Sequence, residues 1–200
     1  GPIGVFDSGY GGLTILHEIR QLMPQYDYLY LGDNARTPYG TRSFEVVYEF
    51  TREAVQKLFD LGCHLVILAC NTASAKALKT IQQNDLPQME GETRRVLGVI
   101  RPTAEAWPMW VRLGENDEYD SPGADYFVEK RIGNLLRKDP AIDTIVLGCT
   151  HYPLLLNKIL KYTPRNVRIV PQGEYVAYSL KDYLQRHTEI ETLCTQSGTC

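Results

Sequence analysis

The sequence predicts an α/β chain built from two similar, doubly wound parallel-sheet halves facing each other across a cleft, and three observations carry that expectation. The first is a phrase that occurs twice: residues 66–72 read Val-Ile-Leu-Ala-Cys-Asn-Thr, and residues 145–151 read Ile-Val-Leu-Gly-Cys-Thr-His. The second is that the apolar runs are unbroken and of strand length, as strands covered on both faces require. The third is that these runs alternate with segments of helical period along the chain. In open parallel sheets, ligands bind outside the carboxyl ends of the strands, which is where Cys70 and Cys149 fall. Two thiols in equivalent places of two related halves would look into one cleft.

The elements follow in order. Residues 3–6 are a strand, and Asp7-Ser8-Gly9-Tyr10-Gly11-Gly12 turns into a helix with Leu13, Leu16, Ile19, Leu22 and Met23 at helical spacing, stopped by Pro24. Residues 28–31 are a second strand, and the loop over 32–40 is longer and more polar than a simple connection needs, the kind of loop on which sites are built. Ser43 caps a long helix ended by Leu61-Gly62. The first copy of the repeated phrase is a strand over 64–69, followed by a helix from about Thr72 to Gln82, a polar loop over 83–94 and a strand over 96–100. Later come a helix from Ala124 to about Leu136, the second copy's strand over 142–147, a helix over 153–162, a strand over 167–170 and a closing amphipathic helix over 174–184. The stretch 103–123 breaks the rhythm. It offers one short apolar segment, 107–113, and no helix, where a crossover of a dozen or so residues belongs.

Composition narrows the function. With 200 residues, 44% of them hydrophobic, the chain can pack an ordinary globular core. A net charge of −3 leaves no extended basic face, so nucleic acid is not an implied partner. No run is long enough to span a membrane, and residues 1–20 do not read as a secretory signal. Five cysteines, scattered at 63, 70, 149, 194 and 200, make neither a disulfide framework nor a zinc pairing, which fits a reducing, cytoplasmic compartment and no metal. Cys63 reads as a small buried hydrophobe, and Cys194 and Cys200 sit in a polar tail expected to be poorly ordered.

The two remaining cysteines invite chemistry. Each precedes a helix start, where a thiol pKa is expected to fall and where free N–H groups, with Asn71, Thr72 and Thr150, can seat a carboxylate. A substrate held there would have one sulfur on each face of its α-carbon, an arrangement suited to removing a proton from one face and returning one to the other. Asp7 and His151 are the natural partners of Cys70 and Cys149. Rival chemistries lack their signatures. The Gly9–Gly12 turn lacks the third glycine of a dinucleotide loop, no arginine follows either cysteine as a phosphatase loop requires, and Lys76 and Lys79 read as exposed helix residues and not as a pyridoxal lysine.

Gly4-Val5-Phe6-Asp7-Ser8-Gly9-x-Gly11-Gly12-Leu13, Gly32-Asp33-x-Ala35-Arg36-x-Pro38-Tyr39-Gly40, Ala69-Cys70-Asn71-Thr72-Ala73-Ser74 and Leu147-Gly148-Cys149-Thr150-His151-Tyr152-Pro153-Leu154 closely resemble the motifs of the bacterial glutamate racemase family, in the family's order and over nearly the whole chain. The resemblance implies a cytoplasmic, cofactor-independent isomerase of the aspartate/glutamate racemase superfamily, commonly homodimeric, that makes D-glutamate for peptidoglycan and so for cell-wall biogenesis and cell shape. It implies that Cys70 acts on D-glutamate and Cys149 on L-glutamate, assisted by Asp7 and His151. The same resemblance makes Asp7, Ser8, Pro38, Tyr39, Gly40, Asn71, Thr72, Thr150 and His151, together with Glu115, the substrate-binding residues. It implies a first domain over 1–95 and 172–200 and a second over 96–171. Between Ala104 and Trp107 the family has a further strand, a threonine-rich loop and a helix that this sequence lacks. Because a deletion there would remove the core of the second domain, the segment is expected to belong to the protein, with an intact mass several kDa above 22.7 kDa. Two alternatives stay open: a racemase for aspartate or another acidic amino acid, and a non-catalytic protein that holds an acidic metabolite.

Overall fold

In a computed structural model, which describes residues 1–89, 93–99 and 108–200, the alternating pattern folds into two parallel sheets. The strands are β1 (Ile3–Asp7), β2 (Tyr28–Gly32), β3 (Leu65–Leu68), β4 (Arg95–Gly98), β5 (Thr144–Leu147) and β6 (Arg168–Pro171). The helices are α1 (Leu13–Leu22), α2 (Phe44–Asp60), α3 (Asn71–Lys76), α4 (Leu78–Thr80), α5 (Pro108–Glu115), α6 (Pro122–Lys138), α7 (Leu156–Tyr162), α8 (Gly173–Arg186) and α9 (Thr188–Glu191). The first sheet runs β2-β1-β3-β4, and β5 pairs with β6 in the second.

Strand β1 is buried along its whole length, as an unbroken Ile-Gly-Val-Phe-Asp run in mid-sheet requires. On one face lie Ile15, Leu16 and Ile19 of α1 with Ala177, Leu180 and Leu184 of α8, so the closing helix returns to the first sheet. On the other face, Val47, Val55, Leu58 and Phe59 of α2 cover Phe6, Val66 and Leu68. Phe6 registers with Leu68, and the Ala69 N–H donates to the Phe6 carbonyl at 2.8 Å. The chain therefore leaves β1 at Asp7 and β3 at Cys70 as neighbours, both on the carboxyl edge of the sheet.

The second half is built around Trp110. Its ring is fully buried, stands edge-on to Tyr152 at 5.1 Å between centroids, and packs with Val128, Ile132, Leu155 and Ile159. This tryptophan explains why α5 forms where no helix was expected. A short helix gains its stability from a buried face, and one large aromatic supplies that face even in a polar neighbourhood. Ser121 caps α6 through the Ala124 N–H, and Asp125 then holds α7 through Lys158, Lys161 and Tyr162.

Other expectations shift as well. The loop expected over 83–94 begins as a continuation of the preceding helix, with a π turn over Ile81–Asp85 and a 3₁₀ turn over Leu86–Gln88. The polar tail is ordered. Asp27 accepts hydrogen bonds from the backbone and hydroxyls of Ser197 and Thr199, and Cys194 is buried in the first core. Strand β4 pairs with β3, so residues 96–98 belong to the first sheet and lie across the expected division at 95/96. The sequence break near 104–107 falls outside the described residues. Among the described residues, α5, α6 and α7 close the second core against two strands.

If Trp110 is the keystone of that core, Trp110→Ala should cost about 3–5 kcal/mol of unfolding free energy, the range for an aromatic-to-alanine cavity. Urea unfolding followed by circular dichroism would measure it, and a loss under about 1 kcal/mol would show that the second half holds together by other means.

Candidate active site

Three chain turns meet where the two sheets approach. The turn after β1 carries Asp7 and Ser8, the turn after β3 carries Cys70, Asn71 and Thr72, and the turn after β5 carries Cys149, Thr150 and His151. With the 38–40 segment they enclose a cleft of about 320 Å³. Ser8, Pro38, Tyr39, Gly40, Cys70, Asn71, Thr72, Cys149, Thr150 and His151 line it, so ten of the residues singled out in the sequence share one surface. Asp7 and Glu115 do not line it. Asp7 lies fully buried beneath it, accepting from the Thr150 hydroxyl at 3.2 Å and the Gly9 N–H at 3.0 Å. Glu115 stands behind His151, bonded to its Nε2, and accepts from the Tyr10 N–H at 2.9 Å.

The glycines of the first turn make this meeting possible. A Cβ on Gly11 would lie 2.6 Å from both His151 Nδ1 and Thr150 Oγ1, and one on Gly9 would lie 2.1 Å from Glu115 Oε1. The turn must therefore stay bare so that the second half can press its polar groups against it. Thr14 extends the contact, its hydroxyl lying within hydrogen-bond reach of the Thr150 carbonyl at 3.1 Å.

Each sulfur has its own company. Cys70 Sγ lies 3.4 Å from Ser8 Oγ and accepts from the Ala73 N–H at 3.4 Å as the cap of α3. Cys149 Sγ lies 3.8 Å from His151 Nδ1. Asn71 is buried and neither atom of its amide has a hydrogen-bond partner among the described residues, the condition of a group whose partner is a ligand. Among the described residues no lysine or arginine lines the cleft, so a carboxylate held there would draw on Asn71, Thr72, Thr150 and Ser8, with the His151 ring beside them. Among the described residues no three potential ligands gather to hold a metal ion.

Sequence reasoning missed the apolar side of the cleft: Val111, Leu135, Ile142, Leu147 and Tyr152. Their spacing signals a core helix or strand, and only the packing of α5 and α6 on β5 turns them toward the site.

No family model matches the chain. Curated relatives do. The glutamate racemase of Roseobacter denitrificans is 37% identical over 234 residues, covering 92% of this chain and 86% of its own, and that of Ruegeria sp. is 37% identical over 237, covering 94% and 87%. Among solved structures, glutamate racemase isoform RacE1 from Bacillus anthracis superposes with a TM-score of 0.78 at 30% identity, covering 95% of this chain and 83% of its own. The enzyme from Thermus thermophilus in complex with β-chloro-D-alanine gives 0.74 at 29%, covering 95% and 82%. The chain belongs to the glutamate racemase family. These alignments are longer than the chain itself, so the relatives carry residues with no counterpart here.

The protonation states of this racemase site are uneven. Burial pushes the Cys70 thiol up to about 12, and the nearby Asp7 adds to the shift. The expected lowering at a helix start is thus overturned: α3 is a short helix of six residues, and a sulfur removed from water beside a carboxylate resists ionising more than one N–H can offset. Burial also raises Asp7, against the opposing pull of His151 and the Gly9 N–H. For His151, burial disfavours the charge, but Cys149, Glu115 and Asp7 together hold the imidazolium, up to about 10. Glu115 is correspondingly lowered, its burial outweighed by His151 and the Tyr10 N–H.

These shifts tie stability to pH. The folded chain binds the His151 proton more tightly than the unfolded chain, whose imidazole keeps its ordinary 6.5. That contribution is complete below the ordinary value and is lost as pH rises through about 10. Unfolding free energy should therefore decline with pH between 6.5 and 9, by up to about 1.4 kcal/mol per unit, and His151→Asn should remove that slope. Urea titrations at stepped pH would measure it, and equal slopes in the two proteins would show that the imidazolium is not held by the fold.

Proposed function

We propose that the protein interconverts L- and D-glutamate by two-base proton transfer between Cys70 and Cys149, without a cofactor, and so supplies D-glutamate for peptidoglycan. The observation that carries this reading is that the two repeated strand ends bring both cysteines onto one cleft together with Ser8, Asn71, Thr72, Thr150 and His151. Membership of the glutamate racemase family supports it.

On this reading the substrate carboxylates rest on Asn71, Thr72, Thr150 and Ser8, with the 38–40 segment forming the opposite wall, and the ammonium group is drawn toward Asp7. His151, a cation through the neutral range and 3.8 Å from Cys149 Sγ, stabilises negative charge on that sulfur. Cys149 takes the α-proton of L-glutamate, and Cys70, a neutral thiol, returns a proton to the opposite face. The resting enzyme is thus set for the L-to-D direction. The reverse direction needs the Cys70 proton removed first, and the incoming ammonium group offsets the Asp7 charge that opposes it. Glu115 acts through His151, holding the ring and its charge. We further propose a cytoplasmic homodimer. No helix among the described residues is long and apolar enough to cross a membrane, and sedimentation velocity would read the oligomeric state.

The test of the reaction is the α-proton signal of L-glutamate in D₂O, followed by NMR together with optical rotation. Cys70→Ser and Cys149→Ser should each lower racemisation at least about a hundredfold with the fold intact, and full activity in either would refute the two-base scheme. His151→Asn should slow the reaction from L-glutamate more than that from D-glutamate. In the unaltered enzyme, kcat/KM for L-glutamate should fall as pH rises through about 10, where the imidazolium loses its proton; a profile flat to that point and beyond would separate His151 from Cys149.

A further inference from the structure

The loop after β2 holds a partly buried ion pair outside the proposed proton transfer. Asp33, its side chain 9% exposed, accepts from the Tyr39 hydroxyl at 2.5 Å and from Arg36 Nε at 2.6 Å through the same Oδ2. Arg36 is occupied on its other side by Glu53 of α2 at 2.6 Å, with its guanidinium 4.1 Å above the Phe50 ring. Tyr39 is 1% exposed, its ring lying between Phe6 and Phe50 at 6.2 and 5.8 Å. The backbone of Asp33 is fixed as well: its N–H donates to the Asp7 carbonyl at 3.0 Å. The far end of the loop is tied to the Cys70 helix by Lys76 Nζ, which donates to the Arg42 carbonyl at 2.6 Å.

Burial of the Tyr39 ring alone would be served by phenylalanine, and burying a hydroxyl with a carboxylate is costly unless the pair fixes something. What it fixes is a distance. One end of Asp33 is anchored to the last residue of β1, and the other to the middle of the 38–40 wall. The pairing also occupies the Arg36 guanidinium at Asp33 and Glu53, and Arg36 is not among the described residues that line the cleft.

We propose that Asp33 is a positioning residue for the substrate: through the Tyr39 hydroxyl it sets the 38–40 wall against Asp7 and the two sulfurs, and so governs affinity for glutamate and not the proton transfer. Among the described residues no hydrogen bond joins the network to either sulfur: the partners of Cys70 are Ser8 and Ala73 and that of Cys149 is His151. This inference rests on the glutamate racemase reading.

The experiment compares the unaltered enzyme with Asp33→Asn, Tyr39→Phe and the double variant, reading KM and kcat from racemisation and thermal midpoints from the same samples. Each single variant should raise KM about tenfold, the usual effect of losing a hydrogen bond to a charged group, with kcat changed much less. The double variant should be no worse than the poorer single one, because both remove the same link. Parallel losses in kcat and thermal midpoint without a KM effect would make Asp33 merely structural, and multiplying KM effects would show that it does not act through Tyr39. If the unaltered enzyme racemises nothing, the functional reading fails by itself. The positioning claim is then read from hydrogen exchange of the 36–42 amides, which Asp33→Asn should speed about tenfold and which an unchanged rate would overturn.

Discussion

A carboxylate with no exposure needs partners, and the site is arranged to provide them. Asp7 ends the central strand, and its oxygens are met by Gly9 from its own turn and by Thr150 from the other half of the molecule. Its charge is balanced by His151, which Glu115 in turn holds through a bond reinforced by the Tyr10 N–H. Removing a charged member leaves an uncompensated charge in a poorly solvated place, so the network joins the two halves beside the cleft. The same demand shapes the backbone: the bare glycines at 9 and 11 exist because atoms from Glu115, Thr150 and His151 occupy the space that side chains would need.

The two cysteines are equivalent in sequence and unequal in surroundings. Cys70 is buried, capped by an N–H and close to Asp7, which keeps its proton on. Cys149 is partly exposed and lies beside an imidazolium. One thiol is held in its neutral form, and the other sulfur has a cationic partner. Repetition of the strand ends thus supplies two thiols on one cleft, and asymmetry of burial gives them different surroundings.

The second half shows how little sheet a core can be built on. Its two described strands would be marginal alone, yet Trp110, Val128, Ile132, Leu155 and Ile159 close around them. One edge of that arrangement opens into the cleft, so its apolar wall is made by Val111, Leu135 and Ile142, residues that elsewhere would be ordinary core.

The sheet-and-helix rhythm, the paired cysteines at strand ends and the polar donors beside them were legible in the sequence, because unbroken apolar runs and short polar turns are local signals read without knowing the partner strand; Ser8 and the 38–40 wall came from the family resemblance. The sequence pointed to Asp7 and His151 for the same reason: they flank the turns. Tertiary packing alone places Glu115 and Asp7 behind the surface, holds Cys70 as a thiol and turns the irregular stretch around Trp110 into a helix. Each of these depends on what lies across the chain. A pKa follows from burial and from charges brought in by distant residues, and a short helix exists only when its buried face finds a core.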